Sequence, residues 1–309
     1  MRKLKIVVYA LMMIVCLSAC GTKGENQLKE DSKIDIAVSI VPQETFVKAV
    51  GGDLVHIVTM IPQGYSPANY APTPKQMAEF SESEIYFSIG VAAEESNILG
   101  RVDELNSDIK IVSMNEKVKE VFPERIMEED VNHEDDEDEH DEHQHEHSGR
   151  DPHIWLSPKR VKVMIECIKD ELIEISPNNK AIFEINASKY ITELDKVDKE
   201  IKELLKDKEI KSFIIYHPSF GYFAEEYGLN MIAIEEGGKK ATAKSIEKVI
   251  SKAKSENIKV IFYQDEFDSG QAEIVANEID GITVNVSALD GEYIKNLKNI
   301  ALKFKEALQ

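Results

Sequence analysis

From Asn178 to Asp207 the chain contains neither glycine nor proline, and no other feature restricts its fold as much. Ile182, Tyr190, Leu194, Val197, Ile201 and Leu204 step by three and four after the first interval, with charged residues between them. That is the helical period. The spacing predicts one helix of roughly 30 residues, about 45 Å long at 1.5 Å per residue. A rod of that length must have something to join. On its N-terminal side, β-rich apolar runs occur at Ile34–Val41, Leu54–Ile61, Glu84–Ile89 and Ile109–Ser113. Helical patterns lie between them at Gln43–Val50 and Pro74–Ser81, the latter with Thr73 as cap and Pro74 in the first turn. On its C-terminal side a second set runs through Ser212–Tyr216, Asn230–Glu235, Lys259–Tyr263 and Ile282–Val286. Helical patterns alternate with these at Phe220–Tyr227, Ala243–Glu256, Ser269–Ile279 and Gly291–Leu308. Alternating strands and helices imply parallel sheets covered on both faces. The expected fold class is α/β, with two parallel-sheet lobes joined by one long rigid helix. About 290 residues beyond the N-terminal segment are enough to give each lobe its own core.

The N-terminus argues for export. Arg2, Lys3 and Lys5 precede the apolar run Ile6 to Leu17, which is short for a membrane span but suits the core of a signal peptide. It ends in Leu17-Ser18-Ala19-Cys20-Gly21, which resembles a bacterial lipobox, whose cysteine is diacylated and becomes the mature N-terminus. The expected organisation is a signal peptide at 1–19 and a lipidated polar tether at 20–33. An N-terminal lobe at 34–157 follows, then a helix and the long connecting helix at 158–209, and a C-terminal lobe at 210–309. Cys20 is the lipidation site and membrane lipid its partner. Cys167 is then the one thiol left, so no internal disulfide is available and the core must hold the fold.

Removing residues 1–19 takes away three basic residues and no acid. That leaves 34 Lys and Arg against 57 Asp and Glu, a formal charge of −23. Such a field excludes nucleic acid as a partner and draws cations. Five of the eight histidines (His133, His140, His143, His145 and His147) fall in an acidic segment, 128–150, that is densest over Glu128–His147. This composition has little apolar surface to bury, so a mobile loop is expected. His56 lies within a predicted strand. His153 stands in Asp151-Pro152-His153-Ile154-Trp155-Leu156-Ser157-Pro158, and His217 follows the first strand of the second set. Open α/β sheets bind ligands beyond the carboxyl ends of their strands, where His217 and Asp290 both fall. Imidazoles with a carboxylate suit zinc, whereas calcium and magnesium sites are built from oxygens.

These residues resemble the zinc- and manganese-binding solute-binding lipoproteins of ABC transporters over nearly the whole mature chain. The likeness runs through Ser39-Ile40-Val41-Pro42, Gly51-Gly52-Asp53, Tyr70-Ala71-Pro72-Thr73-Pro74, Asp151–Pro158, His217–Gly228 and Ser287-Ala288-Leu289-Asp290. An acidic histidine-rich loop just before Asp-Pro-His is typical of the zinc branch. The resemblance implies Zn²⁺ as the transported ligand, with Mn²⁺ the alternative. It implies His153, His217 and Asp290 as metal ligands, a membrane permease as partner, and a monomer held outside the cytoplasm by its lipid. A histidine at 217, where manganese members tend to have a carboxylate, favours zinc. One departure stands out: Ser66-Pro67-Ala68-Asn69-Tyr70 places alanine where the family usually has a histidine. Water, Asn69 or Tyr70, or a histidine of the acidic loop are the open replacements, and a different metal or a weaker site is the harsher alternative.

Two other classes compete with transport. A surface adhesin-type lipoprotein would hold any metal structurally. A zinc hydrolase would need a general base beside the ligands. The chain has no His-Glu-x-x-His and no nucleophile elbow, so no enzymatic activity is expected.

Overall fold

The computed structural model describes residues 33–127, 149–235, 239–267 and 269–308. Two four-stranded sheets, each all-parallel, flank a layer of long helices. In the first lobe the strands are β1 (Ile34–Ile40), β2 (Val55–Ile61), β3 (Ile85–Ser88) and β4 (Lys110–Ser113), in the order β2-β1-β3-β4. Helices α1 (Val41–Gly51), α2 (Pro74–Ser81), α3 (Ala92–Asn97), α4 (Val102–Leu105) and α5 (Met114–Lys119) connect or follow them. Helix α2 begins as its sequence predicts. Thr73 Oγ1 accepts from the Gln76 N–H, with Pro74 in the first turn, so two of the orphan amide positions are satisfied or absent.

The linking layer is α6 (Pro158–Ile175), capped by Ser157, and the 26-residue α7 (Lys180–Leu205). The second lobe repeats the first. Strands β5 (Ser212–Ile215), β6 (Asn230–Ala233), β7 (Val260–Tyr263) and β8 (Ile282–Asn285) stand in the order β6-β5-β7-β8. Helices α8 (Gly221–Tyr227), α9 (Ala243–Ser255), α10 (Gly270–Glu278) and α11 (Tyr293–Ala307) complete it. The central strands β1 and β5 are buried nearly throughout, as parallel strands covered on both faces must be.

Two sequence expectations need correction. The rod buries Phe183, Ala187, Tyr190, Leu194, Val197, Ile201 and Leu205, while Ile182 is exposed. The stripe from 183 keeps to steps of three and four, whereas Ile182 is eight residues from Tyr190 and falls on another face. Nor does each lobe have a wholly separate core. One continuous cluster joins Ile36 and Phe46 of the first lobe, Leu194 and Val197 of the rod, and Phe213 and Phe304 of the second. Smaller clusters sit on the outer face of each lobe. The shared core arises because α6 and α7 lie against α1 and α11 as one helical layer. Among the described residues no helix is long and apolar enough to cross a membrane.

Candidate metal centre

In each sheet the chain leaves the central strand for one neighbour and returns to the other side. The crevice for a ligand therefore lies at the carboxyl ends of β5 and β7, and of β1 and β3. His217 lies two residues past the end of β5. Its backbone is clamped to the β7 end by Gln264, whose Nε2 donates to the His217 carbonyl at 2.9 Å and to Ser219 Oγ at 2.6 Å. Phe267 stacks on the imidazole, with ring centroids 4.1 Å apart and planes 18° from parallel. The His217 ring Nδ1 meets Glu235 Oε2 at 2.9 Å, just past β6.

His153 comes from a different element. It precedes a 3₁₀ turn, Ile154–Leu156, that leads into α6. That turn is locked to the second lobe: Trp155 Nε1 donates to the Ala288 carbonyl at 2.8 Å, and the Tyr293 hydroxyl donates to the Trp155 carbonyl at 2.6 Å. The His153 Nδ1 meets Asp151 Oδ1 at 2.7 Å, and the other oxygen of Asp151 accepts from Arg125 at 2.9 Å. Asp151 is fully buried.

An ionised carboxylate only accepts hydrogen bonds, so both Nδ1 atoms carry the proton and both Nε2 atoms are left as bare lone pairs. Those two Nε2 atoms face one another at 3.3 Å, with the rings 73° apart. Burial is the main force holding the His217 pKa below the usual histidine value, and the neighbouring His153 adds to it. The Glu235 hydrogen bond pulls the other way. Burial thus favours the neutral form of His217, the state in which an imidazole binds a metal ion, and the two Nε2 atoms are aimed at one point.

The other predicted residues are less gathered. Asp290 lies on the wall of a cavity of about 510 Å³ shared by Gln63 and Gly64 of the first lobe and Asp265, Glu266 and Asn285 of the second. One of its oxygens accepts from the Glu292 N–H at 2.7 Å. Among the described residues no three His, Cys, Asp or Glu side chains stand within reach of a single ion. Ala68 and Asn69 are exposed. The Tyr70 hydroxyl donates to Gln76 at 2.8 Å and its ring packs on Tyr65. His56 pairs with Asp35 at an exposed position away from the crevice. His133, His140, His143, His145, His147 and Cys20 lie outside the described residues. The residues flanking 128–148 do meet beside the site, as an antiparallel bridge of Ile126 and Arg150 followed by Asp151 N–H donating to the Arg125 carbonyl at 2.8 Å.

Sequence reasoning passed over Asp151 and Glu235, which set the imidazole tautomers. Both had a signal. Asp151 is two residues from His153, and Glu235 ends the predicted run Asn230–Glu235 at the ligand-binding edge of the sheet. Arg125, Gln264 and Phe267 had none.

Residues 36–307 match the family described as the periplasmic zinc-uptake complex component A, ZnuA. The chain belongs to that family. The high-affinity zinc uptake system protein ZnuA of Bacillus subtilis is 32% identical over 297 residues, covering 92% of this chain and 88% of that protein. The zinc-binding lipoprotein AdcA of Streptococcus pneumoniae R6 is 29% identical over 287 residues, and the chain spans 53% of its length. A crystal structure of ZnuA superposes with a TM-score of 0.80 at 32% identity, over 90% of this chain and 100% of that one. A ZnuA deletion mutant solved with zinc bound superposes at 0.79 and 30%, over 90% and 99%. The periplasmic zinc-binding protein TroA of Treponema pallidum, at 16% identity and a TM-score of 0.77, shares the fold. The two-lobed α/β architecture with its bridging helix is therefore that of the ZnuA family.

Proposed function

We propose that this chain is a lipid-anchored, extracytoplasmic solute-binding protein that captures Zn²⁺ between its lobes and hands it to the permease of an ABC transporter. One observation carries the metal site: the 3.3 Å between the two bare Nε2 atoms. Two nitrogens on one tetrahedral Zn²⁺, each at about 2.0–2.1 Å, stand roughly 3.3–3.4 Å apart. His153 and His217 are already spaced for a single ion. Asp290, on the cavity wall, supplies a carboxylate from the second lobe. The named relatives in Bacillus and Streptococcus, a zinc uptake protein and a zinc-binding lipoprotein by name, support zinc over manganese.

The remaining parts follow from sequence. Cys20 carries the lipid and residues 20–33 the tether. The histidines of 128–148 hold Zn²⁺ loosely, and the paired flanks of that segment end beside Asp151. A high local ion concentration would thus be delivered next to His153. The shared core leaves little room for a large hinge, so release needs only small shifts of loops at the strand ends. The protein works as a monomer and performs no chemistry on its cargo.

Metal analysis and zinc titration calorimetry on the chain from residue 21 onward test this. His153→Ala and His217→Ala are expected to lose the tight site, and deletion of 128–148 to spare it. Retention of one tightly bound zinc by both alanine variants would remove the inter-lobe site.

A further inference from the structure

We infer that Lys159 and Glu226 form a clasp that sets the separation of His153 and His217, which makes them positioning residues for the metal site. This inference rests on the metal-site reading above. Its first support is geometric. His153 lies five residues before α6 and His217 four residues before α8, and those two helices meet. In the first turn of α6 the Arg160 guanidinium lies over the Tyr222 ring, 4.3 Å from its centroid. The Lys159 ammonium stands 2.9 Å from a carboxylate oxygen of Glu226. Tyr222 and Glu226 are four residues apart on α8 and so share one face. The Tyr222 hydroxyl also donates to the Asp151 carbonyl at 3.2 Å. The segments that carry the two histidines therefore run side by side, and the first turn of α6 grips α8 at both ends of one face.

The second support is the burial of the carboxylate. The Glu226 side chain is 3% exposed, and among the described residues neither of its oxygens has an aligned hydrogen bond. Its contact with Lys159, whose side chain is 37% exposed, is ionic. A buried ion pair adds little net stability over apolar neighbours, because desolvation offsets the attraction. What it does supply is register. A buried carboxylate with one cation cannot slide away from it without standing uncompensated. Held at Tyr222 alone, the seven-residue α8 is free to pivot. Such a pivot carries His217, at the leading end of the helix, away from His153.

The third support is what the other ties leave undone. Trp155 and Tyr293 fasten the His153 turn to Ala288 and α11, and Gln264 fastens His217 to the end of β7. Each anchors one histidine without reference to the other. Among the described residues, Lys159–Glu226 is the ion pair that joins the two histidine-bearing segments.

The test compares Glu226→Gln with Glu225→Gln in the chain from residue 21 onward, which contains the whole compact unit Lys33–Gln309. Zinc affinity is read by chelator competition, and the geometry of the site is read separately by the visible spectrum of bound Co²⁺. The expected loss of affinity for Glu226→Gln is roughly tenfold, the lower end of what removing a supporting partner costs. The Co²⁺ bands should change. The thermal midpoint of the metal-free protein should hold or rise, since the amide keeps the shape and removes a buried charge. Glu225→Gln, an exposed neighbour with the same loss of charge, should match the parent in affinity and spectrum. Parental affinity and spectrum for Glu226→Gln, with His217→Ala still losing the metal, would overturn the clasp and leave the histidine site standing. Equal losses in the two glutamine variants would overturn it as well, reducing the effect to general charge. So would a lowered thermal midpoint with unchanged Co²⁺ bands, which would make the pair merely structural. Tight binding by His217→Ala would remove the site reading and this inference together.

Discussion

The two lobes share one topology, β2-β1-β3-β4 and β6-β5-β7-β8, yet they use the ends of their central strands in opposite ways. In the first lobe the crevice beyond β1 and β3 is sealed. Glu94 is completely buried there and accepts from the N–H groups of Ile89 at 2.7 Å and Gly90 at 2.6 Å, and from the Ser39 hydroxyl. Gln43 donates to the Phe87 carbonyl at 2.9 Å, and Tyr86 meets Ser39 at 2.8 Å. In the second lobe Glu266 and Asp290 line a cavity of about 510 Å³, and His217 follows the carboxyl end of β5. Both lobes clamp a strand end with a glutamine, Gln43 and Gln264. The difference teaches that parallel topology creates a ligand crevice, and that the polar residues set there decide whether it becomes a wall or a site.

The comparison can be broken or sharpened. The largest effect is expected from Glu94→Ala, which strips the acceptor from two buried N–H groups. At about 1–3 kcal/mol for each unsatisfied donor, metal-free stability should fall by about 3 kcal/mol in urea unfolding, with zinc affinity changed less than about threefold. A variant of parental stability that binds zinc poorly would show that the first lobe's crevice belongs to the site.

Asp151→Asn comes next. It leaves His153 in place but weakens the hold on its Nδ1 proton and unpairs Arg125. Zinc affinity should drop by roughly 10–100-fold in calorimetry. No change would mean the carboxylate only anchors the chain, as Glu94 does.

The smallest effect concerns pH. The His217 pKa is lowered in the folded state, mainly by burial. Below the unfolded value of about 6.5 the unfolded chain therefore binds the proton more readily than the folded one. This contribution is flat above that pH, and stability is lost as pH falls from there through the folded-state value. Metal-free parent and His217→Asn, unfolded in urea at pH 8 and pH 5, should differ in slope, the parent losing more on acidification. Parallel behaviour would place His217 in a wetter site than its 14% side-chain exposure implies.

Much of the architecture was legible because it depends on local pattern. The absence of glycine and proline from Asn178 to Asp207 marked the rod, Thr73 and Pro74 marked the start of α2, and alternation marked both sheets. The rod's inward face was misread at Ile182 because two adjacent apolar residues, Ile182 and Phe183, compete for one stripe, and only packing chooses between them. The shared core was hidden for a related reason: nothing in α6 or α7 states that both lobes lie against it.

The site divides along the same line. The residue types were set by the sequence, since His153 and His217 stand in distinctive motifs and chemistry restricts what imidazoles beside carboxylates can hold. Their meeting at 3.3 Å was not. Sixty-four positions separate them, one before the rod and one after it. Only the folding of that layer against both sheets, with Trp155 tied to Ala288, brings the two lone pairs to one point. Periodicity and capping act over one or two turns and can be read residue by residue. Convergence across the chain is a property of the packed core, where the position of each strand end depends on all the others.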